Sequence, residues 1–258
     1  MKLLTPILIS AFCISSGAAL MADNADDVAA FKKLGAKIEF DSSRAAIALD
    51  LTGIPASDKD LKHLTGLPHL QKLAVWGADV TDAAIAEMKP LKELTDLSLE
   101  NTVITDAGLA QLKDLPGIKA LNLRRCAAIS DDGFAALKNL PNLERLLLLY
   151  TDISSAGMVH LQPLKKLRVL DLRGCARVDD QGMEYLQGLT NLVDLKLRNP
   201  GVTDRGIKML QSLKKLSSLS LEDTQLSDEG AKALSGMKGL QELDVMRTNL
   251  TDAGLANL

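Results

Sequence analysis

Residues 94–117 read LTDLSLENTVITDAGLAQLKDLPG, and two hydrophobic periods follow one another in this stretch. The first half has leucines two residues apart, at Leu97 and Leu99, which is the spacing of a short strand with one buried face. The second half has leucines three residues apart, as at Leu109 and Leu112, which places them on one side of a helix. One strand and one helix cannot bury this face alone. The stretch therefore predicts one coil of a larger stack.

The same pattern recurs along the chain in steps of 24 or 25 residues. Nine units tile residues 46–258, and the last unit is cut short. The units begin at Ala46, Leu70, Leu94, Ile118, Leu143, Leu167, Leu192, Leu216 and Leu240. Copies in register predict a solenoid with a parallel sheet on one side and helices on the other. Residues 23–45 predict an N-terminal capping segment, with a helix at 26–34 and a strand at 37–41.

The unit LxxLxLxxTxITDxGLxxLxxL resembles the consensus of leucine-rich repeat proteins. The resemblance implies an α/β fold, a right-handed β-α superhelix with the parallel sheet on its concave face and the helices on its convex face. The two 25-residue units, which contain Cys126 and Cys175, resemble the cysteine-containing subfamily known from substrate receptors of ubiquitin ligases. The 24-residue units resemble repeats of exported bacterial proteins, those of planctomycetes especially.

A TDxG element opens the helical half of each unit. Ser or Thr comes first in eight units and Asp179 in the other, Asp follows in eight, and Gly comes two residues later in seven. The first residue predicts an N-cap, and the Asp places a negative charge at the positive end of the helix. The Gly predicts a close approach of neighbouring coils. A ladder of carboxylates could instead hold cations, but it offers no second ligand type, so we predict neither a metal nor a cofactor.

The bulk composition argues against several functions. Basic and acidic residues nearly balance, at 30 and 33, so the net charge of −3 favours neither nucleic acid nor an anionic membrane. The histidines His63, His69 and His160 are scattered, and the sequence contains no nucleophile elbow, phosphate loop or HExxH motif. We therefore predict that the protein is not an enzyme and has no catalytic residues.

Residues 1–22 predict a secretory signal peptide. Lys2 precedes an apolar stretch from Leu3 to about Leu20 that ends in small residues. An uncleaved membrane anchor is the main alternative, and a membrane contact is expected through this segment alone. The prediction places the mature protein in the periplasm, at the cell surface or outside the cell.

The two cysteines of the repeats predict free thiols. Cys126 and Cys175 occupy the same position two coils apart, which corresponds to roughly 9–10 Å between strands. A disulfide needs alpha carbons within about 7 Å. We therefore expect two buried thiols that fill the turns of their coils.

Two rows of residues on the sheet predict a binding surface. The position after the second leucine holds Thr52, Trp76, Glu100, Arg124, Leu149, Arg173, Arg198, Glu222 and Met246, and the next position holds Gly53, Gly77, Asn101, Arg125, Tyr150, Gly174, Asn199, Asp223 and Arg247. Glu100 is expected to pair with Arg124 and Glu222 with Arg198, which leaves Arg173 unpaired. The predicted partner-binding residues are Trp76, Arg124, Arg125, Leu147, Leu149, Tyr150, Arg173 and Arg198.

These features predict a non-enzymatic scaffold whose concave face binds a protein with an anionic patch. The alternatives are a substrate-receptor module of a ubiquitin ligase, which needs an F-box of roughly 40–50 residues before the repeats, and a structural component of the cell envelope. The charges on the sheet could also serve solubility alone. The last coil, which stops at Leu258 without a cap, could join another subunit into an oligomer.

Overall fold

A computed structural model describes residues 23–256 and 258. Residues 1–22, where the signal peptide is predicted, lie outside the described part. The strands are β1 (Lys37–Phe40), β2 (Ala46–Asp50), β3 (Lys72–Trp76), β4 (Asp96–Glu100), β5 (Ala120–Asn122), β6 (Arg145–Leu147), β7 (Val169–Asp171), β8 (Asp194–Leu197), β9 (Ser218–Leu221) and β10 (Glu242–Asp244). The α-helices are α1 (Ala25–Lys33), α2 (Asp58–Leu61), α3 (Asp82–Glu87), α4 (Asp106–Gln111), α5 (Asp180–Glu184), α6 (Asp204–Met209), α7 (Asp228–Leu234) and α8 (Asp252–Leu255).

The strands form one sheet in the order of the chain. Strands β2 to β10 are parallel, one from each predicted unit, and equivalent leucines lie side by side, as Leu97 does with Leu121. Strand β1 is antiparallel to β2. The predicted α/β solenoid with its parallel sheet is therefore confirmed, and the capping segment contains the expected helix and strand.

The helical side of the solenoid is built from short α-helices and 3-10 helices. The 3-10 segments are Lys62–Gly66, Leu112–Asp114, Asp132–Asn139, Gly157–Leu161 and Leu210–Ser212. Leucines three residues apart match the 3.0 residues per turn of a 3-10 helix, so successive leucines point the same way into the core. Leucines of both halves are buried, and Leu99 and Leu112 are at most 1% exposed. The core is thus a stack of leucine layers between the sheet and the helices.

Six of the nine predicted N-caps are confirmed at the start of an α-helix. The first residue of the TDxG element has extended backbone and accepts a hydrogen bond from the amide two residues later at Thr81, Thr105, Asp179, Thr203, Ser227 and Thr251. Each cap satisfies one amide of the first helical turn that has no partner within its helix.

The Asp of the TDxG element has a role that the sequence did not reveal, since it joins each coil to the next. Its Oδ1 accepts the backbone N–H of the following cap residue and its Oδ2 accepts that residue's hydroxyl, at 2.8 and 2.6 Å for Asp82 and Thr105. The same pair of bonds joins Asp58–Thr81, Asp106–Ser130, Asp131–Ser154, Asp180–Thr203, Asp204–Ser227 and Asp228–Thr251. The carboxylates are therefore occupied by protein donors.

At one junction between coils, the carboxylate and the hydroxyl have exchanged places. Ser155 stands where the other units have Asp, and Asp179 stands where the next unit would have Ser or Thr. Ser155 Oγ donates to Asp179 Oδ1 at 2.5 Å and accepts the backbone N–H of Asp179 at 2.9 Å. The hydroxyl–carboxylate contact survives because both partners have changed.

The Ser155–Asp179 contact also depends on pH. The hydrogen bond from Ser155 lowers the pKa of Asp179 below its ordinary value of 3.8. Because the folded-state pKa is depressed, this stabilisation is present above pH 3.8 and is lost as the pH falls through the lowered value.

The glycines of the TDxG element are required by the junction. A Cβ on Gly133 would lie 2.5 Å from Asp106 Cγ and closer still to its Oδ1. At Gly182 the preceding coil carries Ser155, and the nearest atom to such a Cβ is Ser155 Oγ at 3.0 Å. The predicted close approach of coils is confirmed, and the carboxylate is what approaches.

The thiols of Cys126 and Cys175 are free and buried, as predicted. Each Sγ lies within hydrogen-bonding distance of the threonine hydroxyl of the preceding coil, 3.5 Å in both cases, at Thr102 and Thr151. Burial raises the pKa of the Cys175 thiol to about 11. Both residues therefore act as small core side chains in the turn after the strand.

Exchanging the groups at one junction tests the role of this contact. We expect Ser155→Asp alone to lower the free energy of unfolding by about 1–3 kcal/mol, because two carboxylates then face each other with no hydroxyl to donate between them. Adding Asp179→Ser restores the arrangement of the other junctions, so the two changes are expected to couple by about 1–3 kcal/mol. Urea unfolding followed by circular dichroism measures both values, and simple additivity of the two losses would contradict the assignment.

Alanine at two glycines tests the packing of the junction. Gly133→Ala is expected to lower the free energy of unfolding by about 2–3 kcal/mol, because the new methyl group collides with Asp106. Gly182→Ala serves as the matched control and should cost less than about 1 kcal/mol, since the collision is milder and alanine favours the helix. The same unfolding measurement compares them, and equal losses would show that the carboxylate does not set the requirement.

Candidate functional site

The sheet has one face that is not covered by helices, and we call it the open face. Its side chains come from the positions that flank and separate the buried leucines of each strand, so they are half-buried or exposed, as at Arg145 and Leu147. In the turn after most strands, the chain adds a further outward residue. The two rows of the sequence prediction lie on this face except at Asn199, where the prediction is wrong: Asn199 is fully buried and its Nδ2 donates to the carbonyl oxygen of Cys175 at 2.6 Å.

The turn residues have an unusual backbone. The φ angle is positive at Asn101, Arg125, Tyr150, Asp223 and Arg247 and at the glycines Gly53, Gly77 and Gly174. This left-handed conformation costs a residue with a side chain roughly 1–2 kcal/mol, although Asn and Asp tolerate it better. Glycine would therefore serve at every one of these turns. The bulky Arg125 and Tyr150 occupy two adjacent turns at a cost to stability, which is typical of residues retained for function.

Tyr150 is held between two arginines. The guanidinium carbon of Arg125 lies 5.7 Å from the centre of the ring, in a cation–π contact. Arg198 Nη1 donates to the phenol oxygen at 3.4 Å. The ring also covers Gly174, where any Cβ would collide with ring carbons Cδ1 and Cε1. Tyr150 is nevertheless 42% exposed, so it presents a fixed aromatic surface to the solvent.

Arg173 is not the unpaired cation that the sequence predicted. Its Nε and Nη2 donate to the carboxylate of Asp171, with Nη2 at 2.7 Å from Oδ2. Residues two apart on a strand point to the same face, so the partner comes from along the strand, whereas the prediction compared lateral neighbours alone. Asp171 is 5% exposed, and its hydrogen bonds raise the pKa of Arg173.

Two further pairings were predicted from lateral neighbours. The pair of Arg124 Nε and Glu100 Oε1 is confirmed at 3.5 Å. The pairing of Arg198 with Glu222 is wrong, because Arg198 Nε donates to Asp223 Oδ2 at 2.8 Å. The next coil's arginine bonds both acids, since Arg247 contacts Glu222 as well as Asp223. Hydrogen bonds from Arg247 and Arg198 lower the pKa of Asp223.

Arg125, which was a predicted binding residue, and Arg145, which the prediction missed, have no acidic partner in the described part of the chain. Within residues 23–256 and 258, neither guanidinium has an ion pair or hydrogen bond with a protein group. Arg145 lies at the start of β6, and its lateral neighbours Ala120 and Val169 are uncharged. The sequence contained the signal for Arg145, namely an Arg at an outward strand position between two apolar neighbours.

The remaining predicted residues fall into two groups. Leu147 and Leu149 are half-buried on the same strand and turn as Tyr150. Trp76 is half-buried rather than exposed, and it lies three coils from Tyr150, roughly 14 Å away at the spacing of adjacent strands. The structure therefore brings together the residues of the central coils and leaves Trp76 apart.

A groove lies beside the central coils on the open face. Its volume is about 370 Å³, and small side chains such as Ala48, Ala74 and Ser98 line it together with Arg145 and Leu147. Among the described residues, no group of three or more His, Cys, Asp or Glu side chains could hold a metal ion. In the same part of the chain, no helix is long and apolar enough to cross a membrane.

Comparison with known proteins supports the assignment of the repeat. A family model described as Leucine Rich repeat matches residues 164–186, 212–235 and 240–258. The fold is a leucine-rich repeat solenoid. No curated protein sequence matches the chain significantly. The solenoid is similar to the crystal structure of internalin C2 from Listeria monocytogenes, with 24% identity, a TM-score of 0.63, and coverage of 89% of this chain and 93% of that one.

Two other solved structures resemble the solenoid more loosely. An internalin (inlF) from Listeria monocytogenes has 19% identity and a TM-score of 0.39, and the match covers 77% of this chain and 74% of that one. The plant peptide hormone receptor RGFR1 in complex with RGF2 has 18% identity and a TM-score of 0.44, over 74% of this chain and 35% of that one. Leucine-rich repeat solenoids typically serve protein–protein interaction, without enzymatic activity, through an extended surface. The planctomycete and cysteine-subfamily resemblances stay predictions from the sequence.

Glycine substitution tests the cost of the turn residues. We expect Arg125→Gly to change the free energy of unfolding by less than about 1 kcal/mol, because relief of the left-handed strain offsets the entropic cost of glycine and the lost cation–π contact with Tyr150. The neighbouring Arg124→Gly is the control and should lower stability more, since Arg124 has no positive φ and pairs with Glu100. Chemical unfolding compares the two variants, and equal losses of stability would show that the turn carries no strain.

Proposed function

We propose that the solenoid is an exported, non-enzymatic scaffold that binds a protein partner on its open face, centred on Tyr150. The observation that carries the proposal is the left-handed backbone at Arg125 and Tyr150, two bulky residues at turns where glycine would adopt the conformation without strain. Tyr and Arg are also the residue types that contribute most at the centres of protein interfaces.

The chemistry of the surface supports a partner with an anionic patch. Leu147 and Leu149 supply apolar contact beside Tyr150, and Arg125 adds a positive charge without a carboxylate partner in the described part of the chain. A rigid aromatic ring is a favourable anchor, because it buries a large area and has little conformational freedom to lose on binding. Export rests on residues 1–22, which the described part does not include, and stays a prediction.

A charge placed on the open face tests the site. Leu149→Asp is expected to abolish capture of partner proteins from an extracytoplasmic fraction, because a carboxylate there opposes both apolar contact and the anionic patch. The matched control is Val159→Asp, since Val159 is an exposed apolar residue in the 3-10 helix Gly157–Leu161 on the other side of the solenoid. Quantitative mass spectrometry of the captured proteins compares both variants with the unchanged chain.

Circular dichroism must show that both variants remain folded. Partners that bind the unchanged chain and the Val159 variant equally, and the Leu149 variant weakly, support the proposal. Partners that the Leu149 variant retains but the Val159 variant loses would move the site to the helical side and contradict it.

A further inference from the structure

The open face has a continuous strip along one coil, which we call the central strip. It consists of Arg145, Leu147, Leu149 and Tyr150 of the β6 coil, with Arg125 against the Tyr150 ring. The first three point outward because they alternate with the buried Leu146 and Leu148. Two half-buried leucines and an aromatic ring thus lie between two arginines.

An arginine that is paired with a carboxylate lies on each side of the central strip. The lateral neighbours of Leu149 are Arg124 and Arg173, whose guanidinium groups are engaged with Glu100 and Asp171. Arg173 donates to Asp171 and so has fewer N–H groups for a ligand, whereas Arg124 forms an ion pair with Glu100 without a hydrogen bond. A carboxylate therefore lies beside the arginine on each flank and offsets part of its positive charge.

The two ends of the strip differ from its flanks. Within the described residues, Arg125 contacts the Tyr150 ring and Arg145 has no charged partner, so both retain their planar sets of N–H donors. Such groups bind carboxylates in a bidentate manner. At the rise of a strand, the two ends are roughly 15 Å apart.

The groove continues from the strip across the sheet. It begins at Arg145 and Leu147 and continues over the small side chains Ala120, Ser98 and Ala74, and its lining also contains Lys37, Glu39, Asp50, Lys72 and Asp96. Small residues leave room, so side chains of a partner that touch Leu147 have a place to enter. The strip thus offers apolar contact between two cations, and the groove gives space beside Leu147.

We propose that the central strip binds an acidic segment of a protein partner, in which apolar side chains separate two carboxylates. The apolar side chains contact Leu147 and Leu149 and enter the groove, and the carboxylates receive bidentate hydrogen bonds from Arg125 and Arg145. A distance of roughly 15 Å between the carboxylates corresponds to about five residues of extended chain or ten of a helix. This inference rests on the proposed function and specifies the chemistry of its partner.

Selection of peptides from a random phage-displayed library on the folded chain tests the inference. We expect enriched peptides to contain two acidic residues separated by apolar ones. The variant carrying Arg125→Gln and Arg145→Gln should bind them roughly 100-fold more weakly, because two charge-assisted contacts are lost. The charge-matched control carries Arg205→Gln and Lys208→Gln, since both residues are exposed on α6.

The outcomes separate this inference from the proposed function. Loss of binding in the open-face variant and retention in the α6 variant support it. Enrichment of neutral or basic peptides, no enrichment, or equal weakening in both variants would overturn it. Heparin or polyglutamate competing as well as the enriched peptides would indicate simple anion binding and would also overturn it. If Leu149→Asp still prevents capture of natural partners in those cases, the proposed function stands.

Discussion

The paired hydrogen bonds between the Asp of one coil and the helix cap of the next fix the geometry on which the solenoid depends. In the contact of Asp82 with Thr105, one carboxylate satisfies a backbone amide and a hydroxyl of the following coil. The bonds connect positions 23 or 24 residues apart in sequence, so they link coils rather than residues within a coil. Stacking of leucines alone would allow neighbouring coils to slide, whereas a bidentate acceptor sets one register.

This constraint explains the glycines of the junctions and the exchange of residues at one of them. Glycine is needed beside the carboxylate because the coils approach closely there. Gly133, for example, lies against Asp106 of the preceding coil. The exchange of Ser155 and Asp179 shows that the contact, rather than either residue, is what the architecture requires. Because this junction and the leucine layers stabilise the stack, the open face is free to vary and even to hold strained turns.

Ion pairing with carboxylates decides which arginines of the open face remain available to a ligand. Five arginines, Arg124, Arg125, Arg173, Arg198 and Arg247, lie in the two rows near the centre and C-terminal half of the sheet. Carboxylates of the same or the neighbouring coil engage Arg124, Arg173, Arg198 and Arg247. Arg125 differs because Tyr150, not an acid, is the side chain it contacts in the described residues. The two rows are therefore less cationic than their sequence suggests, and Arg125 is their arginine without an acidic partner in the described residues.

The sequence by itself determined the repeat, the register of the strands, the caps and the free thiols, because each depends on a period or a residue type that recurs at fixed spacing. It also predicted most of the residues that face outward, so the central residues Leu149 and Tyr150 could be named, although Asn199 of the same row is buried. Only the tertiary structure decided the partners of the arginines and the joining role of the Asp. Arg173 could turn toward an acid along its own strand or toward a lateral neighbour, and side-chain rotation makes that choice after the coils have packed. The left-handed backbone at Arg125 and Tyr150 likewise arises from the turn that stacking imposes, since neither residue favours it locally.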